Sequence, residues 1–369
     1  MMVAKKSIKL LVVFVLALTS FTAFAQDDTV ENNLIDSPEE IRAYIAHHLK
    51  DSHDFHLYTN NKTGVHYGFS LPVIVWTNDG LKTFMSSAFQ HDDNGTVIVE
   101  KDETKLVKYH SKIYELENNA TSLNLDEAAH PTNAKRVIDF SITKSVFGMI
   151  FTGLIMLLAF GGLARGYKKG KTIPKGFSRV LEPLVIYVRD EIARPNIGEK
   201  KYRKFMGFLL TVFFFIWILN MLGLTPFGFN VTGQIAVTAC LAIFTMVIYL
   251  VSGTKDFWAH TLWMPGVPYI LRPILAVIEL VGFILIKPFS LLLRLFANIT
   301  AGHFIVMSLI ALMVTLKASF GPVVSTGMSL VLALFIMFIE ILVAFLQAFI
   351  FTMLSSLFIG MAVEEHDEH

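Results

Sequence analysis

The sequence has little charge and almost no cysteine. Only 17% of its 369 residues are charged and the net charge is +1, so no basic excess favours a polyanion, and we expect no nucleic-acid partner. The single cysteine, Cys240, excludes a disulfide framework or a cysteine metal cluster within one chain. Apolar residues are plentiful, at 54% of the chain with a mean hydropathy of +0.56. This composition predicts a polytopic membrane protein.

Motifs for nucleotide binding and zinc hydrolysis are also missing from the sequence. There is no G-x-x-x-x-G-K-[ST] loop, so the chain is not expected to hydrolyse ATP itself. There is no His-Glu-x-x-His motif, which an intramembrane zinc hydrolase would need. No inverted repeat is apparent, which weighs against a secondary transporter. We expect no cofactor, no bound metal and no catalysis by the chain alone.

The N-terminal part divides into two segments by composition. Lysines precede an apolar run, Leu10–Phe24, that ends in Ala-Phe-Ala, a pattern typical of a secretory signal peptide over residues 1–25. We expect cleavage after Ala25, and an uncleaved anchor is the alternative. Residues 26–140 are polar and predict an exported extramembrane extension, helical near Pro38–Lys50 and hairpin-like over Val65–Glu100.

Four histidines lie close together in this extension, namely His47, His48, His53 and His56. Histidine-rich tracts can bind metals. No cysteine accompanies these four, however, and their spacing matches no zinc motif, so we expect no metal site there. The role of the cluster is left open.

Residues 141–369 form the predicted membrane domain, with five apolar segments long enough to cross a bilayer. A strongly basic connection follows the first segment, so the positive-inside rule predicts an extracytoplasmic N-terminal segment and a cytoplasmic C-terminus. Within that connection, Phe177–Ile192 has the spacing of an amphipathic interfacial helix. The predicted fold class is therefore an all-α polytopic membrane protein with an extramembrane N-terminal segment. The five predicted spans are Ile142–Leu163, Phe205–Leu224, Gln234–Val251, Pro273–Lys317 and Pro322–Val363.

The last two apolar segments are too long for upright single crossings. A helix of about 40 residues is roughly 60 Å long, about twice the hydrocarbon thickness. Each segment either bends into two crossings or lies steeply tilted, and the lack of charged or turn-forming interruptions favours tilt. We expect the two to form a hairpin that turns at Gly321 and Pro322.

Arg294 is the most unusual residue of the membrane domain, because it lies deep within an apolar helical run. A guanidinium at bilayer depth costs at least about 2.5–3.5 kcal/mol and does not lose its proton. Helical periodicity places Lys287, Ser290 and Asn298 on the same side as Arg294, whereas His303 lies on the opposite face. The helix therefore presents two polar surfaces, and each needs a compensating partner.

The hairpin turn predicts which residues of the two long helices lie at the same depth. Counting away from the turn places His303 opposite Glu340 and Arg294 opposite Gln347. Glu340 and Gln347 are seven residues apart and share one face of their helix. Ionisable residues within spans are typical of proton relays, and an opposite-charge partner is the expected compensation. The alternative is a pair of structural hydrogen bonds in a packed core.

The segment Arg-Leu-Phe-Ala-Asn at 294–298, followed by Ala-Gly-His at 301–303, resembles the signature of subunit a of F-type ATP synthases. The segment Leu-Gln-Ala-Phe-Ile-Phe at 346–351 is similar to a second motif of that family. A weaker similarity lies at 220–226. The resemblance extends from Ile142 to Val363 and does not include the extension.

The resemblance implies roles for individual residues. Arg294 matches the essential arginine of the family, Asn298 the amide beside it, and Gln347 the glutamine that faces the arginine. His303 and Glu340 match the polar pair of the inlet half-channel, and this chain carries the histidine on the first of the two helices.

Glu279 is similarly assigned to the cytoplasmic outlet. Its spacing to Lys287 differs by about one residue from the family pattern.

The resemblance further implies a proton channel and stator subunit of a rotary ATP synthase in the bacterial inner membrane. Two offset half-channels would conduct protons to and from a c-ring of carboxylate-bearing helices, and this flow would drive ATP synthesis. The other implied partners are the peripheral-stalk subunit b, the rest of the complex and the lipid bilayer. The choice between proton and sodium depends on the ring and is left open.

Two other classes of function compete with this interpretation. A stand-alone ion-coupled transporter or motor stator would predict inverted repeats or a central acidic residue instead of a central arginine. An intramembrane hydrolase would need a nucleophile–base pair or a zinc motif.

Overall fold

The structure, a computed structural model, describes residues 50–60, 65–102, 104–117, 120–168, 178–225, 229–264 and 266–364. They form a β-rich extension up to residue 139 and a bundle of helices from residue 144. Among these residues, five helices are long and apolar enough to cross a membrane, which confirms the predicted polytopic α-helical class. The predicted signal peptide, and all of the predicted helix near Pro38 except Lys50, lie outside the described residues.

Antiparallel strands build the extension. In strand β3 (Pro72–Thr77), Val73 and Val75 point to one face and are fully buried with Phe89, as the two-residue period of a half-buried strand requires. The predicted hairpin is formed by strands β3 and β4, whereas strand β2 pairs with the preceding strand β1. The sheets have the orders β1-β2, β4-β3-β9 and β5-β6-β7-β8, with β1 Asp54–Asn60, β2 Val65–Ser70, β3 Pro72–Thr77, β4 Gly80–Met85, β5 Asn94–Lys101, β6 Thr104–Tyr109, β7 Lys112–Leu116, β8 Ala134–Arg136 and β9 Ile138–Asp139.

A buried polar contact ties the beginning of the extension to its end. The Nε2 atom of His53 lies 2.7 Å from Oδ2 of Asp139, and the backbone N–H of Ser141 donates to the same carboxylate over 2.8 Å. Burial alone would raise the pKa of Asp139, but the hydrogen bonds from His53 and Ser141 outweigh it and hold this pKa below its ordinary value. Of the histidine cluster, His53 is thus engaged with Asp139, while His47 and His48 lie outside the described residues.

The helices of the membrane domain follow the predicted order. Most of their ends differ from prediction by a few residues, as in the first span, which begins at Lys144 and continues to Lys168. The fourth span ends at Leu309 instead of the predicted Lys317, although the helix assignment continues beyond Leu309. A short helix, Lys255–Leu262, precedes the fourth span. The spans, numbered in chain order, are span 1 (Lys144–Lys168), span 2 (Tyr202–Gly223), span 3 (Ile235–Ser252), span 4 (Arg272–Leu309) and span 5 (Val323–Val363).

The two long helices join at a sharp break. One continuous helix assignment runs over Lys287–Val363, but Gly321 within it has φ 77° and ψ 164°, a conformation that residues with a side chain rarely adopt. The predicted turn is therefore confirmed at Gly321. Span 4 itself contains Arg272–Val281, a π-helical turn at Gly282–Ile286, and the helix that begins at Lys287. A π-helical turn contains more residues than an α-helical turn, so it rotates the side chains after it relative to those before it.

The predicted amphipathic helix is present as Ser178–Tyr187, followed by a π-helical turn, Val188–Ala193, and a short helix, Arg194–Ile197. Its buried apolar residues join the core of the bundle near the end of span 5. Asn196 donates to the hydroxyl of Ser356 over 3.0 Å. The backbone there is so close that a Cβ on Gly360 would lie 1.9 Å from the carbonyl oxygen of Asn196.

The β-rich extension and the bundle share one apolar cluster. Phe55 and Leu71 of the extension are buried against Leu219 of span 2 and against Phe229 and Val231, which follow span 2. The Phe55 ring lies 5.2 Å from the Phe229 ring, measured between centroids. The extension therefore packs directly on the end of the bundle where span 1 begins.

We predict that Gly360→Ala destabilises the bundle by at least about 1–3 kcal/mol, because backbone atoms must separate to admit the new methyl group. The matched control is Gly327→Ala in the same helix, where no atom lies within 4 Å of the added Cβ. Thermal unfolding of the detergent-solubilised protein measures the difference. An equal midpoint for the two variants would contradict the close packing against Asn196.

Candidate functional site

A cavity of about 250 Å³ lies between spans 2, 4 and 5. Most of its wall is aliphatic, as expected at bilayer depth. Its polar groups are few and come from three helices, which makes it the type of site expected for a small number of translocated ions or protons. They are Asn220, Asn298, His303 and Glu340.

Glu340 reaches this cavity by lying over a glycine of the facing helix. A Cβ on Gly302 would be 2.6 Å from Oε1 of Glu340, so the contact depends on the missing side chain. Glu340 is 9% exposed, and its Oε1 has no hydrogen-bond partner among the described residues. A buried carboxylate oxygen without a partner is costly and is characteristic of functional groups.

His303 follows Gly302 in sequence and lines the same cavity. Its Nε2 would lie 3.2 Å from a Cβ on Gly223, which ends span 2. Contact of Glu340 with Gly302, the neighbour of His303, agrees with the depth register predicted for the hairpin. The structure places both side chains in one cavity, with no hydrogen bond between them among the described residues, so their pairing remains a prediction.

The sequence interpretation noted the motif that contains Asn220, but it did not predict that this residue links two helices. Its Oδ1 accepts from the hydroxyl of Thr232 over 2.7 Å, and its Nδ2 donates to the carbonyl oxygen of Ala344 over 3.3 Å. Asn220 is 3% exposed. Its position inside an apolar span was the available signal, since a buried amide must find partners. The bond to Ala344 joins spans 2 and 5 beside the cavity, and the bond from Thr232 holds the segment after span 2.

Arg294 lies one helical turn before Asn298, and both are exposed. Gln347, at the depth predicted for Arg294, is buried in span 5. In the described part of the chain, Arg294 forms no ion pair and no hydrogen bond with Gln347. The structure thus brings Asn298, His303 and Glu340 together, and it leaves the arginine facing outward.

Glu279 and Lys287 lie toward the start of span 4, where both are partly exposed. The Nζ of Lys287 is 3.3 Å from the centroid of the Phe283 ring and 5.2 Å from that of Phe358. Its charge also interacts with Glu279. Lys287 therefore contacts the aromatic rings near the end of span 5, away from the cavity.

Comparison with known proteins identifies the family. The family model described as "ATP synthase A chain" matches residues 146–360. The chain belongs to the ATP synthase A chain family. A relative from Chlorobium phaeobacteroides (strain BS1), named ATP synthase subunit a, is 45% identical over 238 residues, which cover 63% of this chain and 68% of the relative. One from Chloroherpeton thalassium with the same name is 44% identical over 239 residues, covering 63% and 69%.

Membership in this family gives the function of the membrane domain. The ATP synthase A chain serves as the proton channel and stator of an F-type ATP synthase, and it is a component of that complex without catalytic activity of its own. The family match stops short of the extension. Residues 44–140 match a second family, which is described only as a domain of unknown function.

We predict that Gly302→Ala lowers ATP-driven proton pumping about tenfold, because the methyl group displaces the Glu340 carboxylate from the cavity. Gly282→Ala is the matched control in the same span, because no atom lies within 4 Å of its added Cβ. Quenching of a pH-sensitive dye in inverted membrane vesicles provides the measurement. Normal pumping by the Gly302 variant would show that the carboxylate position is unimportant.

Proposed function

We propose that His303 and Glu340 carry protons through the inlet half-channel of this ATP synthase A chain. The observation that supports this proposal is the buried Glu340 carboxylate in a cavity shared with His303. A partly buried acid and a histidine can exchange protons along a path lined by the amides Asn220 and Asn298. Asn220 would keep the cavity at its width by fixing span 2 to span 5.

We propose that Arg294 faces the c-ring. Its side chain is exposed in an otherwise apolar span, and large apolar side chains such as Phe289 and Leu293 are exposed around it. A permanently charged guanidinium on that surface would favour the ionised ring carboxylate and would prevent protons from passing directly between the half-channels. Gln347, buried in span 5 at the depth predicted for Arg294, would hold the arginine by a hydrogen bond in the assembled complex.

We propose that the outlet half-channel opens beside Glu279 and Lys287. The electrostatic interaction between these residues and their position near the beginning of span 4 support this assignment. The basic connection between spans 1 and 2 supports a cytoplasmic location for this end of the bundle under the positive-inside rule, together with the C-terminus. The β-rich extension then lies outside the bacterial inner membrane.

We also propose the partners that this arrangement requires. The exposed apolar surface around Arg294 would meet the c-ring, and the peripheral-stalk subunit b would contact the cytoplasmic end. Co-purification tests the assignment directly. Recovery of the chain without a ring and a nucleotide-binding head would contradict it.

Exchange of the two cavity residues tests their pairing. Glu340→Gln alone should reduce proton pumping about tenfold, because His303 loses its partner at bilayer depth. The double exchange His303→Glu with Glu340→His should recover part of the activity if the residues act together. Pumping in inverted vesicles is compared for Glu340→Gln, for the single changes His303→Glu and Glu340→His, and for the double exchange. A double variant no better than either single change would show that the two residues do not form a functional pair.

Substitution of Arg294 by lysine tests the role of the guanidinium. Lysine is a compact ammonium that loses its proton readily on burial, and it lacks the planar fork that engages a carboxylate and an amide together. We therefore expect Arg294→Lys to reduce proton-driven ATP synthesis in reconstituted membranes to background. ATP hydrolysis by the detached soluble head is the internal control and should stay normal. Substantial synthesis by the variant would show that positive charge alone is sufficient.

A further inference from the structure

Lys144 is a buried cation at the junction between the extension and the membrane domain. It begins span 1, yet it is only 9% exposed, because residues of the extension cover it. Its Nζ lies 5.9 Å from the centroid of the Phe55 ring, and its backbone N–H donates to the carbonyl oxygen of Ser52 over 2.9 Å. A helix-flanking lysine would normally extend into water. Here the extension prevents it from doing so.

Asp51 supplies the compensating charge. Its Oδ1 accepts from the backbone N–H of Ser145 over 2.9 Å, so this carboxylate caps the first turn of span 1 from a distant part of the sequence. The charge of Asp51 also interacts with that of Lys144. A buried cation and an acid at a helix N-terminus form an arrangement in which each charge favours the other.

A continuous line of contacts connects this pair with the cavity. One turn after Lys144, a Cβ on Gly148 would lie 2.9 Å from the Phe229 ring. The carbonyl oxygen of Phe229 would in turn lie 2.9 Å from a Cβ on Gly223, and the same Cβ would lie 3.2 Å from Nε2 of His303. Close contacts therefore connect span 1, the loop after span 2 and His303 in succession.

Several charged and polar groups act on His303. Span 1 contributes the charge of Lys144, which interacts electrostatically with the histidine. Span 5 contributes Glu340, and span 2 contributes only the neutral Asn220 among the cavity groups. Asp51 interacts electrostatically with Lys144 and offsets part of its charge. No other charged group among the described residues lines this cavity.

We propose that the β-rich extension is part of the proton-uptake path, in which Lys144 and Asp51 set the electrostatic potential at the outer end of the cavity that holds His303 and Glu340. This inference rests on the proposed role of those two residues. Lys144 and Asp51 are positioning residues that act through His303. Asp51 partly offsets the charge that Lys144 exerts on His303, so the removal of either residue changes the potential there.

The two single neutralisations should have opposite effects on the pH dependence of the reaction. Asp51→Asn leaves an uncompensated cation, which makes protonation of the uptake groups less favourable and moves the profile to lower pH. Lys144→Gln leaves an uncompensated anion and moves it to higher pH. A unit charge roughly 12 Å away at an effective dielectric constant near 20 gives a shift of about one pH unit, and a closer charge gives a larger shift. The double variant should return close to the native profile.

ATP synthesis by the intact reconstituted complex is measured against pH on the uptake side at a fixed membrane potential. Each profile is normalised to its own maximum, so a lower yield of a variant does not affect the midpoint. Lys144→Arg should keep the native midpoint. Lys112→Gln, on the exposed surface of the extension, changes the net charge equally and should also leave it unchanged.

Shifts in the same direction, or shifts no larger than that of Lys112→Gln, would overturn the inference. Glu340→Gln is measured in parallel to separate this failure from that of the proposed function. If Glu340→Gln lowers synthesis while the Asp51 and Lys144 variants keep the native midpoint, only the role of the extension is wrong. If Glu340→Gln has no effect at any pH, the uptake path itself is wrong and the inference fails with it.

Discussion

The cost of holding a charge inside hydrocarbon governs the polar architecture of this membrane domain. Glu340 and His303 lie in a cavity whose other polar lining, among the described residues, consists of the amides Asn220 and Asn298. Arg294 lies on an outer surface, where the proposed ring would supply the compensation. Lys144 stands at the boundary of the bilayer, and a separate folded unit covers it. The cost of desolvating a charge is thus met in a different way at each of these residues.

Much of the membrane domain could be predicted because the bilayer constrains it strongly. Backbone groups in lipid must bond within a helix, so hydropathy and length alone locate the five spans. The turn at Gly321 then determines which residues of spans 4 and 5 share a depth. Glu340 and Arg294 were found because an ionisable residue in an apolar run is conspicuous. The family motifs strengthened these assignments.

The remaining features depend on contacts between residues distant in sequence. The strands of the extension alternate clearly only in short pieces, so pairing of β2 with β1 could not be distinguished from pairing with β3. Gly302 and Gly223 are ordinary helix glycines in the sequence, and only the packing of Glu340 and His303 gives them a purpose. In the sequence, Lys144 resembles an ordinary lysine at the end of a membrane span. Its burial follows from Asp51 and Phe55, which lie far away along the chain.

The break at Gly321 has a further consequence for how this hairpin can vary. A helix turns about 100° per residue. One residue inserted or deleted near the turn would therefore rotate all of span 5 relative to span 4 and would carry the Glu340 carboxylate off Gly302 to a different side of the helix. The break at Gly321 lies far from the cavity, yet the number of residues there determines which side of span 5 faces span 4. Loops on soluble proteins usually tolerate insertions and deletions. The turn at Gly321 instead fixes the alignment of two long helices, so almost no change in its length is tolerated.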